Sequence, residues 1–131
     1  DFSEATVFRD LESGEILDNG PAVATDLDLL PLPDRSGIDP GRYRVRGLGA
    51  PQATIHVQRG CPFPCTYCLV HTVSGKRARH RSPASIVREM RSLVDGGIRY
   101  FYLRAETFSV DRAWAIATAR AIADGCPEAR W

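Results

Sequence analysis

The residues best equipped for chemistry in this 131-residue chain are Cys61, Cys65 and Cys68. They stand in the run Arg59-Gly60-Cys61-Pro62-Phe63-Pro64-Cys65-Thr66-Tyr67-Cys68. Three thiolates within eight residues can surround one inorganic centre. Four would close a [4Fe–4S] cube, whereas three leave one iron without a protein ligand. An open position on a metal is where reaction occurs, by the logic that separates catalytic from structural zinc. His71 follows Cys68 by three residues, so a Cys₃His zinc tetrahedron is the competing reading, that of an interaction module. Structural zinc sites more often pair two knuckles across a longer spacer.

Seventeen basic and sixteen acidic residues leave a net charge of +1, so no global field points to nucleic acid or membrane. No apolar run approaches the ~18–20 residues of a membrane span. Asp1-Phe2-Ser3-Glu4 offers neither a basic n-region nor an apolar h-region. Clustered cysteines fit metal binding in a reducing, cytoplasmic setting better than a disulfide framework.

The elements that must position the thiols can be read from the same chain. Thr6-Val7-Phe8-Arg9 and Glu15-Ile16-Leu17 read as a hairpin around Glu12-Ser13-Gly14. From Asn19 to Pro51 the prolines Pro21, Pro31, Pro33, Pro40 and Pro51 exclude a long helix or a central strand. This reads as an ordered connector, with Leu27, Leu29, Leu30, Leu32 and Tyr43 as apolar anchors. Ala53-Thr54-Ile55-His56-Val57-Gln58 is a β-branched strand ending at Gly60, with the cysteine loop directly after it. A basic loop from Ser74 to Arg81 leads to Ser82-Pro83, an N-cap followed by Pro at the first helical position. Ile86, Val87, Met90, Leu93 and Val94 give that helix one buried face, and Gly96-Gly97 ends it. Ile98 to Leu103 is a second strand. Val110 to Asp124 is a second helix, with Trp114, Ala117, Ala121 and Ile122 inside, and Glu128 to Trp131 approaches a third strand.

Strand, helix, strand, helix is a βαβα pattern and implies a parallel sheet. Ligands gather at the C-terminal ends of such strands. The cysteine loop follows the first strand and Glu106 the second, so both belong to one rim.

At these residues the chain resembles the radical S-adenosylmethionine (SAM) superfamily, whose signature is a CxxxCxxC loop after the first strand of a partial (βα) barrel. The resemblance covers about Ala53 to Trp131. The run Leu29-Leu30-Pro31-Leu32-Pro33-Asp34 with Tyr43 resembles the connector of members that carry a cobalamin-binding domain. The resemblance implies an α/β fold: a partial (βα) barrel truncated after about two βα units, with an N-terminal hairpin and irregular connector. Residues 1–52 would be the tail of a cobalamin-binding domain and 53–131 the first part of the radical SAM domain. Cys61, Cys65 and Cys68 would bind three irons of a [4Fe–4S] cluster, the fourth being chelated by the amino and carboxylate groups of SAM. Reductive cleavage of SAM would give a 5′-deoxyadenosyl radical for hydrogen abstraction, with cobalamin-dependent methylation as an extension. Tyr67 would lie near the adenine. Glu106 would hydrogen-bond the SAM amino group, although Arg104-Ala105 replaces the family's common glycine pair. The partners implied are a flavodoxin- or ferredoxin-like electron donor and a substrate the sequence does not identify. A methylthiotransferase-like, RNA-modifying enzyme is a further alternative.

Other residues have plainer readings. Lys76, Arg77, Arg79, His80 and Arg81 read as a solvated loop ahead of a SAM-carboxylate or RNA contact. Cys126 reads as a small buried hydrophobe, and Trp114 as core. Tyr100, Phe101 and Tyr102 read as a strand packed on both faces.

Overall fold

The computed structural model describes residues 7–18, 23–43, 46–47 and 49–131. The positions Thr6, Asn19, Gly20 and Pro21 lie outside them. Val7–Arg9 (β1) pairs antiparallel with Ile16–Asp18 (β2), so the expected hairpin is present. The functional half begins at Gln52–His56 (β3), which lies parallel to Tyr100–Arg104 (β6) with Gln52 opposite Tyr100 and His56 opposite Arg104. Between them run Gln58–Arg59 (β4), Val70–Ser74 (α1), Arg79–His80 (β5) and Pro83–Asp95 (α2). After β6 come a 3₁₀ turn at Phe108–Val110 and the helix Arg112–Gly125 (α3). Arg130 then bridges Tyr100 in parallel, so the anticipated third strand begins where expected.

Alternation along β3 explains the layering. Ala53, Ile55 and Val57 are buried against Ile86, Met90 and Val94 of α2, with Phe101, Ile122 and Cys126 completing the core. Thr54 and His56 point to the opposite, open face. Tyr102 is correspondingly exposed, so only Phe101 of the aromatic trio is buried, which corrects the two-faced reading. In α3 the inward phase falls on Thr118 and Ile122, while Ala117 is exposed. One residue on a helix is about 100° of rotation, enough to move Ala117 off the core face. The two helix caps match their sequence signals. The Ser82 hydroxyl accepts from the Ser85 N–H at 3.1 Å, and Gly97, at φ +93°, donates to Val94 O at 2.9 Å.

The connector is held by charge more than by leucine. Leu27 is buried, but Leu29, Leu30, Leu32 and Tyr43 are exposed. Instead, Asp28 accepts from the Ser82 N–H at 3.0 Å at the start of α2, where negative charge suits the helix dipole. Arg35 reaches Glu89 at 2.9 Å and the Thr54 carbonyl at 2.8 Å. Glu89 is nearly fully buried and also pairs with Arg81, itself only 8% exposed.

The basic stretch is therefore largely structural, which corrects its reading as a solvated loop. Arg79 donates to the carbonyls of Ala24 and Ser74. His80 stacks on Trp114 with centroids 4.3 Å apart. The Trp114 indole N–H donates to Arg81 O at 2.7 Å. Lys76 and Arg77 remain exposed.

Removing one partner of a buried ion pair strands the other charge and costs about 3–5 kcal/mol. Glu89→Ala should lower unfolding free energy by about that amount in urea titrations; a loss under ~1 kcal/mol would place the pair among inert surface bridges. Burial holds the His80 imidazole below the ordinary value of 6.5, with Asp111 opposing weakly. The unfolded chain therefore binds the proton first as pH falls. The contribution of His80 to stability is complete above ~6.5 and is lost as pH drops through its folded pKa. NMR titration of its ring should give a midpoint below 6.5. A midpoint above that value would contradict its burial.

Candidate functional site

The turn between β4 and the cysteine loop depends on Gly60. It adopts φ +81°, and a Cβ there would stand 2.2 Å from Arg77 O and 3.0 Å from Ser74 O. Only glycine meets both conditions. The carboxamide of buried Gln58 donates to Gly60 O at 3.1 Å, and the Cys61 N–H donates to Gly75 O at 3.3 Å. The first thiol is thus fixed on both sides of its backbone.

Beyond it the loop coils tightly. The Cys65 N–H donates to Phe63 O at 3.0 Å and the Cys68 N–H to Cys65 O at 3.1 Å. The chain then enters α1, where the Thr72 hydroxyl donates to Leu69 O at 2.9 Å. That short helix was not anticipated, because five residues carry too little periodicity to read.

Cys61 is buried, Cys65 and Cys68 are exposed, and none of the three forms a disulfide. Cys61 Sγ lies 3.5 Å from the Thr107 hydroxyl, which joins the cysteine loop to the segment after β6. The expected meeting of the two strand ends is therefore present. Among the described residues no three Cys, His, Asp or Glu side chains are gathered as a metal-holding group. The fit to an iron–sulfur centre lies in the donor set: three unpaired thiols on one short loop, with two of them open to solvent. Ligand convergence would accompany binding, as it does where metal and folding are coupled.

Glu106 adds a second mark of a ligand site. Its Oε2 is buried and has no hydrogen-bond partner, an arrangement that is costly unless something fills it. It lines a cavity of about 290 Å³ with His56, Arg59, Arg79 and Arg104. Burial first, and then the charges of Arg59 and Arg104, hold the His56 imidazole below its ordinary value. Tyr67, beside the last cysteine, is exposed, and so are Phe63, Leu69 and Val73 around it. His71 lies in α1 with its Nε2 buried and unpartnered.

The profile of the radical SAM superfamily matches residues 55–127, more than half of the chain and all of the rim just described. The chain belongs to the radical SAM superfamily. Among curated proteins, it is 45% identical over 51 residues to the tRNA-2-methylthio-N(6)-dimethylallyladenosine synthase of Hydrogenobaculum sp. (strain Y04AAS1), covering 39% of this chain and 12% of that protein. It is 30% identical over 70 residues to the ribosomal protein uS12 methylthiotransferase RimO of Endomicrobium trichonymphae, covering 53% of this chain and 16% of that protein. A solved radical SAM methyltransferase, TsrM from Kitasatospora setae with tryptophan substrate and the SAM analogue aza-SAM bound, superimposes with a TM-score of 0.52 at 30% identity. That match covers 56% of this chain and 14% of TsrM. The chain thus spans only a small part of the length of these relatives.

Membership of an enzyme superfamily favours the iron–sulfur reading of Cys61, Cys65 and Cys68 over an interaction module that adds His71. The described part of the radical SAM fold is a parallel pair of strands with two helices on one face; a closed barrel is not part of it. Among the described residues no helix is long and apolar enough to cross a membrane. Sequence reading did not single out Thr107, His56, Arg59 or Arg104. A signal existed, since Tyr102 and Arg104 are two residues apart and share one face of the second strand, with Glu106 just beyond its end.

Gly60→Ala should destabilise the protein by at least about 2 kcal/mol, from the positive φ and the carbonyl clash together. Thermal melts and iron content after anaerobic reconstitution should both fall. Unchanged values would mean that the turn does not set the loop.

Proposed function

We propose that this radical SAM protein holds a [4Fe–4S] cluster on Cys61, Cys65 and Cys68 and binds SAM on the same rim. When bound, the pair supplies reductive cleavage of SAM, yielding a 5′-deoxyadenosyl radical able to abstract hydrogen. The observation that supports this most directly is the set of three unpaired thiols on one loop at a strand end. The loop, fixed at Gly60 and Gly75, sets the first thiol, Cys61, next to Thr107 in the segment after β6. Glu106, with a buried and unpartnered oxygen, would accept from the SAM amino group. Tyr67, exposed beside the last cysteine, would lie near the adenine. The core beneath, Ile55, Val57, Met90 and Phe101, keeps the rim rigid and excludes water from below.

The methylthiotransferases and the methyltransferase it resembles share the transfer of a methyl-bearing group, and we extend that class to this chain. Its reductant would be a flavodoxin- or ferredoxin-like donor. Residues 1–52 would join a cobalamin-binding module to the rim, and cobalamin would then serve methyl transfer.

Anaerobic reconstitution with iron and sulfide should give a brown protein that forms 5′-deoxyadenosine from SAM and dithionite. Cys61→Ala, Cys65→Ala and Cys68→Ala should each cut bound iron and product by about tenfold or more. Cys126→Ala, buried in the core and away from the loop, should leave the iron content intact. A colourless protein holding one zinc, or iron that survives all three loop substitutions, would overturn the proposal.

A further inference from the structure

The cavity beside the cysteine loop carries more positive charge than the groups around it balance. Arg59, Arg79 and Arg104 line it against one carboxylate, Glu106. The Arg79 guanidinium is tied to the carbonyls of Ala24 and Ser74, which are neutral and leave its charge in place. The side chains of Arg59 and Arg104 make no hydrogen bond or ion pair among the described residues. His56, at the end of β3 opposite Arg104, lines the same cavity; burial first, and then the charges of Arg59 and Arg104 against those of Glu106 and Glu89, disfavour its protonation.

Three other guanidinium groups of the fold have carboxylate partners. Arg35 and Arg81 share Glu89, and Arg91 pairs with Asp95 and Glu128. Free guanidinium groups walled into a concave surface draw anions and hold planar oxyanions through paired N–H donors.

We infer that this cavity is an oxyanion subsite in which Arg59 and Arg104 bind a carboxylate or phosphate group of the substrate. The inference rests on the proposed cofactor arrangement, because there the carboxylate of SAM is already engaged at the open iron. The oxyanion in this cavity then belongs to the second reactant. The cavity is also bounded by Val23 and Ala24 of the connector, so the connector forms one wall and limits the size of the group admitted. An anionic substrate would be anchored at the strand ends, in the cavity that Glu106 also lines and that the SAM amino group would border.

The test uses inorganic phosphate as the probe, titrated by calorimetry into the chain both before and after cluster reconstitution, with SAM affinity and iron content measured in parallel. Arg104→Gln and Arg59→Gln should each weaken phosphate binding by about tenfold or more while iron content and SAM affinity stay unchanged. Arg104→Lys should retain part of the affinity, as a point charge without the paired donors. Three results would overturn the inference: no phosphate binding, phosphate affinity indifferent to both substitutions, or SAM affinity falling in step with phosphate affinity. The last would assign the cavity to SAM itself. Because the phosphate titration is read on the cluster-free chain as well, failure of cluster assembly would register separately, in iron content.

Discussion

The register of β3 against β6 is the constraint from which the site follows. Parallel pairing that sets His56 opposite Arg104 brings the two strand ends to one level, so the loops leaving them must share one rim. The contact between Cys61 Sγ and the Thr107 hydroxyl is a direct consequence. A slip of β3 by one residue against β6 would turn His56 inward toward α2 and expose Ile55, and the same slip of β6 would do so to Arg104 and Phe101. The apolar cost of that slip, with both residues now fully buried, keeps the register single-valued.

A second constraint ties the connector to this frame. Glu89, buried on α2, receives Arg81 from the approach to its own helix and Arg35 from far upstream in the chain. Arg35 also caps the Thr54 carbonyl on the open edge of β3. Through Arg81 and Arg35 this one carboxylate links α2 to its own approach and to the connector, and Arg35 carries the link on to β3. Buried ion pairs of this kind contribute specificity of arrangement more reliably than net stability.

Much of this was legible in the sequence, for physical reasons that differ by element. Ser82-Pro83 and Gly96-Gly97 punctuate α2 with residues whose backbone preferences hold in any context. The cysteine spacing carries its chemistry without a fold. The βα order was readable from periodicity, and with it the shared rim. What escaped were features that exist only after folding. The exposed Leu29, Leu30, Leu32 and Tyr43 look like anchors in a string of letters, but Asp28 and Arg35 supply the attachment. Arg79, His80 and Arg81 look like a solvated basic run, yet carbonyls, Trp114 and Glu89 absorb them. The charge excess of the cavity is likewise invisible until Arg59 and Arg104, forty-five positions apart, share a wall.

The proposed chemistry requires that one iron of a cluster on this loop be open and be taken by SAM. Electron paramagnetic resonance of the reconstituted, dithionite-reduced chain tests it most directly. A [4Fe–4S]⁺ signal is expected whose g values shift on adding SAM, with hyperfine coupling to a ¹⁵N label on the SAM amino group. A cluster signal that SAM leaves unaltered, with no coupling to the label, would contradict it.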